Sequence, residues 1–377
     1  MFWGFRLQQK RRILATGPEF RAIGGSMTGL WKDNWDEAKS HHEAWWRREG
    51  LVLATWGTGL PRTSVARESR PLPPRPADLA GQHTDPDWVS ARIRADMVPL
   101  CWPDLGTVSL APYLGAVSQY GANNVWYRHT IADTDTAAPL TFDQNNPAVQ
   151  SLEATVRAVV DTAANNYFTG MPALIPNLDV LAEVRGTQDL LIDMLENPAW
   201  VHEKLAEIDQ AWMIAFDRMR NLIKLPDDSM AFGYFMLWGS GRTSLLQCDV
   251  SAMFSPDMFA EFVVPGLIRE CAWLDHSMYH VDGHQCLGHL EHILAIDDLD
   301  AIEWTPDPQV PPGGDAHWFP VYRKILDAGK SLWVAMAKPH EVEPLLDAIG
   351  GKGVYLTVQT SSVDEMERIA KVVERFR

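Results

Sequence analysis

The segment 277–304, SMYHVDGHQCLGHLEHILAIDDLDAIEW, decides the fold class. It reads as an apolar strand (277–281), a helix (285–295) and a second apolar strand (300–304), joined by short connections. The same alternation continues towards the C-terminus, with strands at 331–336 and 353–358 and helices at 316–328, 339–349 and 362–376. Strict alternation with short connections predicts parallel strands joined by right-handed crossovers, which is an α/β fold.

Earlier apolar segments bring the number of predicted strands close to eight. These segments lie at 171–176, 231–237 and 245–249. Because no GxGxxG or P-loop glycine pattern supports an open nucleotide-binding sheet, we predict a (β/α)8 TIM barrel with an N-terminal helical and loop extension. The predicted divisions are a basic, disordered tail over 1–26, an extension packing on the barrel over 27–105, and the barrel itself over 106–377.

The predicted extension contains two regular elements before a long irregular segment. A helix is expected from about Asn34 to Glu49, where Gly50 ends it, and the apolar run 51–56 reads as a strand. The segment 61–86 is rich in proline and arginine, so we expect a loop or surface arm there.

Composition excludes several classes of protein. The 377 residues carry a net charge of -16 and no cluster of lysines interleaved with aromatics, so nucleic acid is a poor partner. The four cysteines show no CxxC pairing and suggest no disulfide framework. No apolar run reaches the roughly 18 residues that a membrane helix needs, and we expect a cytoplasmic protein that does not bind membranes.

In a parallel barrel the functional residues lie at the C-terminal ends of the strands. Polar and aromatic side chains at the predicted strand ends are therefore candidates, although a carboxylate there can equally cap the next helix. The candidates of this kind are Asp179, Trp238, Asp249, Tyr279, His280, Asp282, His284, Glu303, Trp304 and Gln359.

The densest group is His280, Asp282 and His284, together with Glu303 from what should be the adjacent strand. His280 and Asp282 share one face if the strand continues through them. Convergence of His280, Asp282 and Glu303 would suit Zn²⁺ or another divalent ion. The same groups also suit metal-free acid–base catalysis or substrate binding, and a purely structural polar cluster is the third interpretation.

Two further observations concern the ligand. Trp238 and Trp304 are expected to be pocket walls, where aromatic faces attract flat substrates, sugars or quaternary ammonium groups. The run from Asp282 to Gly288 is similar to the DxHxxG signature of cobalamin-binding domains, but its glycine falls one position late. We therefore expect no corrinoid and no other tightly bound organic cofactor in this chain.

Two stretches resemble the superfamily of uroporphyrinogen decarboxylases and corrinoid methyltransferases. The run LAEVRG (181–186), DLLIDM (189–194) and Asn197-Pro198 is similar to one superfamily stretch. The run QCDVSAMFSP (247–256), with Phe259, Phe262 and Pro265, is similar to another, and YHVDG (279–283) falls where members often have a histidine-containing strand end. The resemblance covers about 170–377 and implies a barrel enzyme.

The resemblance implies two main chemistries. One is decarboxylation without a cofactor, with a carboxylate such as Asp249 stabilising the electron-rich intermediate. The other is methyl transfer, for which members use zinc in an H-x-C motif; His280, Asp282 and Glu303 match the zinc-ligand places, with aspartate where cysteine is usual. The resemblance also implies a homodimer.

We therefore predict an enzyme acting on a small organic molecule, with methyl transfer or demethylation with a separate corrinoid protein as the leading reaction. The alternatives are a cofactor-free decarboxylase and a carbohydrate-binding or sugar-processing barrel. Asp249, His280, Asp282 and Glu303 are the predicted catalytic residues. The predicted substrate-binding residues are Asp179, Arg185, Trp238, Tyr279, His284, Trp304 and Gln359, and Arg185 either anchors an anion or ties neighbouring helices.

Overall fold

A computed structural model describes residues 30, 32, 34–56, 95–101, 103, 109–120, 125–164, 166–233 and 235–377. The predicted tail over 1–26 and the proline-rich segment 61–86 lie outside these residues. Helices alternate with mostly parallel strands, which confirms the α/β class. Among the described helices, none combines the length and the apolar character that crossing a bilayer requires.

Twelve strands are numbered in chain order: β1 Leu51–Trp56, β2 Leu100–Cys101, β3 Val117–Tyr120, β4 Val125–Arg128, β5 Phe168–Met171, β6 Ser229–Phe232, β7 Leu237–Ser240, β8 Thr243–Leu246, β9 His276–Asp282, β10 Ala301–Thr305, β11 Ser331–Ala337 and β12 Val354–Gln359. Twelve helices are numbered likewise: α1 Trp35–Trp46, α2 Pro147–Ala163, α3 Leu178–Arg185, α4 Thr187–Glu196, α5 Pro198–Ile223, α6 Pro256–Phe262, α7 Val264–Trp273, α8 Gly283–Cys286, α9 Leu290–Leu294, α10 Phe319–Asp327, α11 Val342–Ile349 and α12 Val363–Val373. Short 3-10 turns connect several of them.

The main sheet has six parallel strands in the order β1-β12-β11-β10-β9-β8. Its strands are covered on both faces, which is why they read as continuous apolar runs in the sequence. The consecutive residues Leu51 and Val52, and their register partners Val354 and Tyr355, are all fully buried. The four C-terminal strands lie within a residue of their predicted bounds, and β1 matches the predicted strand 51–56.

A second sheet joins four strands in the order β2-β5-β6-β7. The prediction of one strand over 231–237 is wrong, because the chain turns back there and β6 pairs with β7 in antiparallel fashion. Met236 has a φ of 52°, a left-handed value that reverses the chain without a glycine at that position. Backbone pairing of the described residues thus gives a six-stranded and a four-stranded sheet, and closure into an eight-stranded barrel stays a prediction.

The segment predicted as an extension over 27–105 supplies strands to both sheets. β1 pairs along its whole length with β12, and β2 pairs with β5. Helix α1 precedes β1 and contributes buried Trp45 and Trp46 to the core. The sheets therefore begin inside the segment that was expected only to pack on them.

A row of large side chains crosses the main sheet beneath its C-terminal edge. The strand register aligns Tyr355 with Trp333, Trp333 with Glu303, and Glu303 with His280. Trp333 stacks on Tyr355 with ring centroids 4.1 Å apart, and Tyr355 meets Trp45 edge-on at 5.4 Å. These buried rings form a rigid floor on which the histidine and the glutamate are held.

Candidate functional site

The β9–β10 register brings together the two groups that sequence analysis expected to converge. His280 lies directly opposite Glu303, and Asp282 lies opposite Thr305. Residues two apart on a strand face the same side, so His280 and Asp282 point to one side together with Glu303 and Thr305. The predicted convergence of His280, Asp282 and Glu303 at neighbouring strand ends has a structural basis in this pairing.

Glu303 is buried and contacts the ring of His280. It is fully buried, its Oε2 contacts Nδ1 of His280, and its Oε1 accepts a hydrogen bond of 2.6 Å from the Thr305 hydroxyl. Burial alone would lower the pKa of His280, but the Glu303 carboxylate and the charges of Asp249 and Asp282 outweigh it, so this pKa is raised. With Nδ1 engaged, Nε2 is the ring nitrogen left for a ligand.

Asp249, His280 and Asp282 form a compact group of potential ligands. One side-chain atom from each lies within 4.8 Å of the others. Asp249 opens the 3-10 turn Asp249–Met253 just after β8, and Gln247 Nε2 donates a 2.8 Å hydrogen bond to its Oδ2. Both aspartates are exposed, whereas His280 is buried, so the group opens to solvent on its carboxylate side.

Helix α3 adds two more carboxylates to this region. Its N-cap, Asn177, adopts a φ of 77°, and its side chain accepts from the Asp179 N–H. Asp179 in turn accepts hydrogen bonds from the backbone N–H groups of Asp249 (2.8 Å) and Val250 (2.9 Å), which fixes the turn that carries Asp249. Glu183, one helical turn further on, accepts from the Ser109 hydroxyl.

Burial, and at two positions neighbouring negative charge, raises the pKa values of these carboxyls. Burial and then the charge of Asp179 raise the pKa of Asp249 to about 7, although His280 opposes the rise. Burial raises the pKa of Glu183 to about 8, with further contributions from Asp179 and Asp249. Burial also raises the pKa of Asp179, against the two backbone hydrogen bonds. Asp249 therefore combines a raised pKa with access to solvent.

The donor set suits a hard or borderline divalent cation. It offers one imidazole nitrogen and two carboxylates, and the histidine is oriented from behind by a carboxylate, as metal-bound histidines usually are. Glu303, predicted as a third ligand, contacts His280 Nδ1 and lies outside the Asp249–His280–Asp282 group, so it takes this supporting position. Thiolate ligation does not fit, since Cys248 and Cys286 are buried and burial raises the pKa of both thiols.

His284 lies just beyond this group in a second histidine–carboxylate pair. Asp307 accepts from the His284 backbone N–H at 2.8 Å and contacts Nδ1 of its ring at 2.7 Å. Between Asp282 and His284, Gly283 has a φ of 77°, and an added Cβ there would lie 2.9 Å from Asp307. Asp307 therefore clamps the turn that follows Asp282.

Three predicted substrate-binding aromatics lie away from the cleft. Tyr279 and Trp304 alternate with His280 and Glu303 along their strands, so they point to the opposite face, where Tyr279 meets Phe259 and Trp304 meets Trp318. Trp238 belongs to β7 and not to a parallel strand end.

The Trp238 ring is buried and meets Trp35 edge-on, with centroids 5.6 Å apart. The placement of Trp238 and Trp304 favours core packing over pocket walls. An aromatic ring that sequence analysis did not select, Phe235, instead borders His280, with centroids 5.0 Å apart. Phe235 is half-buried and also meets Trp333 edge-on.

Arg185 takes the structural one of its two predicted roles. Its Nε donates a 2.7 Å hydrogen bond to buried Asp193, and its Nη1 donates to the backbone carbonyls of Ile131 and Ala132. The Asp193 carboxylate is the main cause that raises the Arg185 pKa above its ordinary value. The guanidinium thus ties α3 to α4 and to the preceding loop.

Gln359 lies at the exposed end of β12. Two strands, β11 and β10, separate it from β9, which corresponds to about 14 Å across the sheet. Gln359 therefore belongs to the same edge of the sheet as the Asp249–His280–Asp282 group but not to the group itself.

Sequence analysis missed Glu183, Thr305 and Asp307. The spacing of Asp179 and Glu183 was a usable signal, because residues four apart share one face of a helix. Asp307 and Thr305 follow Glu303 at intervals of two, but their role depends on the β9–β10 register, which the sequence does not specify.

Comparison with known proteins gives similarity at the level of the fold. No protein-family model matches the sequence, and no curated protein does so either. Among solved structures, the chain is similar to a methyltransferase from Methanosarcina mazei, with a TM-score of 0.58 and 9% sequence identity. The match covers 89% of this chain and 98% of that one, so the two share a fold over nearly their whole lengths.

Proposed function

We propose that this protein is a methyltransferase that acts on a small organic molecule and passes the methyl group to a separate corrinoid protein. The observation that carries the proposal is the Asp249–His280–Asp282 group, which lies at parallel strand ends. The fold is one that a methyltransferase also adopts. A fold alone does not specify a reaction, so the chemistry is argued from these three side chains.

Asp249, His280 and Asp282 would hold a divalent cation, and zinc is compatible with such a nitrogen and oxygen donor set. Bound there, the cation would supply Lewis-acid polarisation of the heteroatom that carries the methyl group. Burial and, after it, the charge of Asp179 raise the Asp249 pKa to about 7, and a bound cation would favour the ionised carboxylate against both. The exposed sides of the two aspartates leave an approach for substrate from solvent.

The protein side chains position the reacting groups. Glu303 keeps the His280 ring in one orientation, and Asp179 fixes the backbone that carries Asp249. In the proposed transfer the bond from methyl to heteroatom breaks, and a new bond forms from the methyl carbon to the nucleophilic acceptor. The electron pair of the broken bond stays on the heteroatom. If the heteroatom is then anionic, it takes a proton from solvent.

The charges of the cleft support methyl transfer over porphyrinogen decarboxylation. Porphyrinogens carry several carboxylates and need cationic partners. The charged groups that shift Asp179, Glu183 and Asp249 include His280 but no lysine or arginine of the described chain. A polyanionic substrate would therefore find no lysine or arginine partner among these groups.

Metal content and methyl transfer test the proposal together. The purified protein should bind about one divalent cation per chain, and Asp249→Asn or Asp282→Asn should lower its affinity on the order of tenfold or more. Asp161→Asn, an exposed position on α2, is the matched control and should bind normally. With free cob(I)alamin as acceptor, loss of its absorbance in the presence of methylated ethers, thioethers or amines should depend on the cation. Normal transfer by metal-free protein would contradict the proposed site.

A further inference from the structure

We propose that Asp209 and Glu270 share one proton, and that loss of this proton loosens the packing of helix α7 against helix α5. The inference goes beyond the proposed function, because neither carboxyl belongs to the Asp249–His280–Asp282 group. Helices α6 and α7 connect β8 to β9. The pair therefore lies on the connection between the strand that precedes Asp249 and the strand that carries His280 and Asp282.

Both carboxyl groups are buried where α5 and α7 pack together. Glu270 of α7 is fully buried, and Asp209 of α5 is 4% exposed. Buried Gly266 borders both, since a Cβ added there would lie 3.7 Å from Asp209 Oδ1 and 3.7 Å from Glu270 Oε1. Three residues further along each helix, Trp212 meets Trp273 edge-on with ring centroids 5.2 Å apart. Residues three apart share a helix face, so the carboxyls and the rings belong to one interface.

This interface holds more negative than positive charge. Arg269 Nε donates a 3.0 Å hydrogen bond to Asp209 Oδ2, but the arginine side chain is 49% exposed, so water screens its charge. The charges that interact with Glu270 are those of Asp209 and Arg269. A further ion pair between α5 and α6, His202 with Glu261 at 3.8 Å, is exposed on both sides. Two ionised carboxylates would therefore leave one buried negative charge without compensation.

Glu270 also lacks a hydrogen-bond donor. Within the described part of the chain, no N–H or O–H group of another residue reaches either of its buried carboxyl oxygens. A proton on Glu270 removes the excess charge and lets this carboxyl donate to Asp209, which lies within hydrogen-bonding reach and stays ionised beside Arg269. Burial and the charge of Asp209 then raise the Glu270 pKa well above its ordinary value.

The shared proton makes the fold sensitive to pH. The folded protein keeps the proton at pH values where an unfolded chain, with the ordinary glutamate pKa of 4.5, has lost it. The free energy of unfolding should therefore fall as the pH rises above 4.5, and for one proton each pH unit lowers the folding equilibrium constant about tenfold. When the folded pair finally ionises, two carboxylates repel each other across the interface.

Glu270→Gln isolates the proton, because its amide N–H can still donate to Asp209 but cannot titrate. From urea unfolding between about pH 5 and about pH 7, the wild-type folding constant divided by that of the variant should fall about tenfold per pH unit. Glu261→Gln, at an exposed position on α6, is the matched control and should keep the wild-type pH dependence. The infrared C=O stretch of a protonated carboxyl should be present in the wild type at neutral pH and weaker in Glu270→Gln.

An unchanged pH dependence or an unchanged infrared band in Glu270→Gln would overturn the shared proton. Arg269→Met should move the loss of the band to higher pH, because the guanidinium favours the ionised carboxyls, and an unmoved transition would also count against it. Stabilisation by potassium over tetramethylammonium that disappears in Glu270→Gln would assign the pair to a metal cation instead.

Amide hydrogen exchange tests the loosening of α7. Relative to Glu270→Gln at the same pH, the wild-type amides of α7 should exchange faster above the pH at which the infrared band is lost, and equally fast below it. Equal exchange rates on both sides of that pH would overturn the effect on helix packing.

Discussion

Replacing Glu303 by glutamine distinguishes two possible roles of Glu303, which are support of the His280 ring and direct ligation of the metal. Glutamine keeps the size of the side chain, can accept from His280 Nδ1 through its amide oxygen, and can meet the Thr305 hydroxyl with its amide group. What is lost is the charge. Hydrogen bonds to charged groups contribute about 1.5–3 kcal/mol and neutral ones about 0.5–1.5 kcal/mol, and the difference between the midpoints gives a loss of about 1.3 kcal/mol. That corresponds to about tenfold weaker binding of a divalent cation.

Competition with a chromophoric chelator measures this loss. Thr305→Val, which removes only the 2.6 Å hydrogen bond to Glu303 Oε1, should give a smaller loss. Glu291→Gln, at an exposed helical position, should give none. Both metal affinity and transfer rate should fall in Glu303→Gln while the protein stays folded. Wild-type affinity in this variant would refute the supporting role, and loss of affinity as severe as in Asp282→Asn would indicate direct ligation.

Two further predictions concern stability. Burial lowers the His42 pKa from 6.5 to about 4, so the free energy of unfolding should be highest above about pH 6.5 and should fall by about 3 kcal/mol as the pH drops towards 4. Urea unfolding at a series of pH values should show this dependence, and His42→Gln should remove most of it. An unchanged pH dependence in the variant would assign the effect to other groups. Arg185→Met removes the guanidinium that pairs with buried Asp193 and should cost about 3 kcal/mol in the free energy of unfolding. Binding of a small carboxylate such as propionate, measured by NMR titration, should be the same in the folded variant as in the wild type, and its selective loss would restore the predicted role as an anion anchor.

The C-terminal half of the fold was predictable because its strands are buried on both faces. Such strands read as uninterrupted apolar runs, as in the predicted strand 331–336 and the observed β11. The β6–β7 hairpin was not predictable in the same way. Its reversal uses a left-handed Met236, and methionine carries no turn signal in a sequence.

The candidate site was predictable to the level of strand ends but not to the level of contacts. His280 and Glu303 end neighbouring parallel strands, so their proximity followed from topology. His280 is the proposed ligand and Glu303 its support because Glu303 contacts Nδ1 of the ring and leaves Nε2 free for the cation. This contact depends on the β9–β10 register, which a slip of one residue would change. The alternation rule alone would have separated Tyr279 and Trp304 from His280, had it been applied to every strand-end residue.

Anomalous diffraction from crystals grown with a divalent cation would locate the bound ion. We expect one anomalous peak between the Asp249 and Asp282 carboxylates and Nε2 of His280, with Glu303 on the opposite ring nitrogen. A peak coordinated by Glu303 itself, or the absence of any peak at this group while a cation binds elsewhere on the protein, would contradict it.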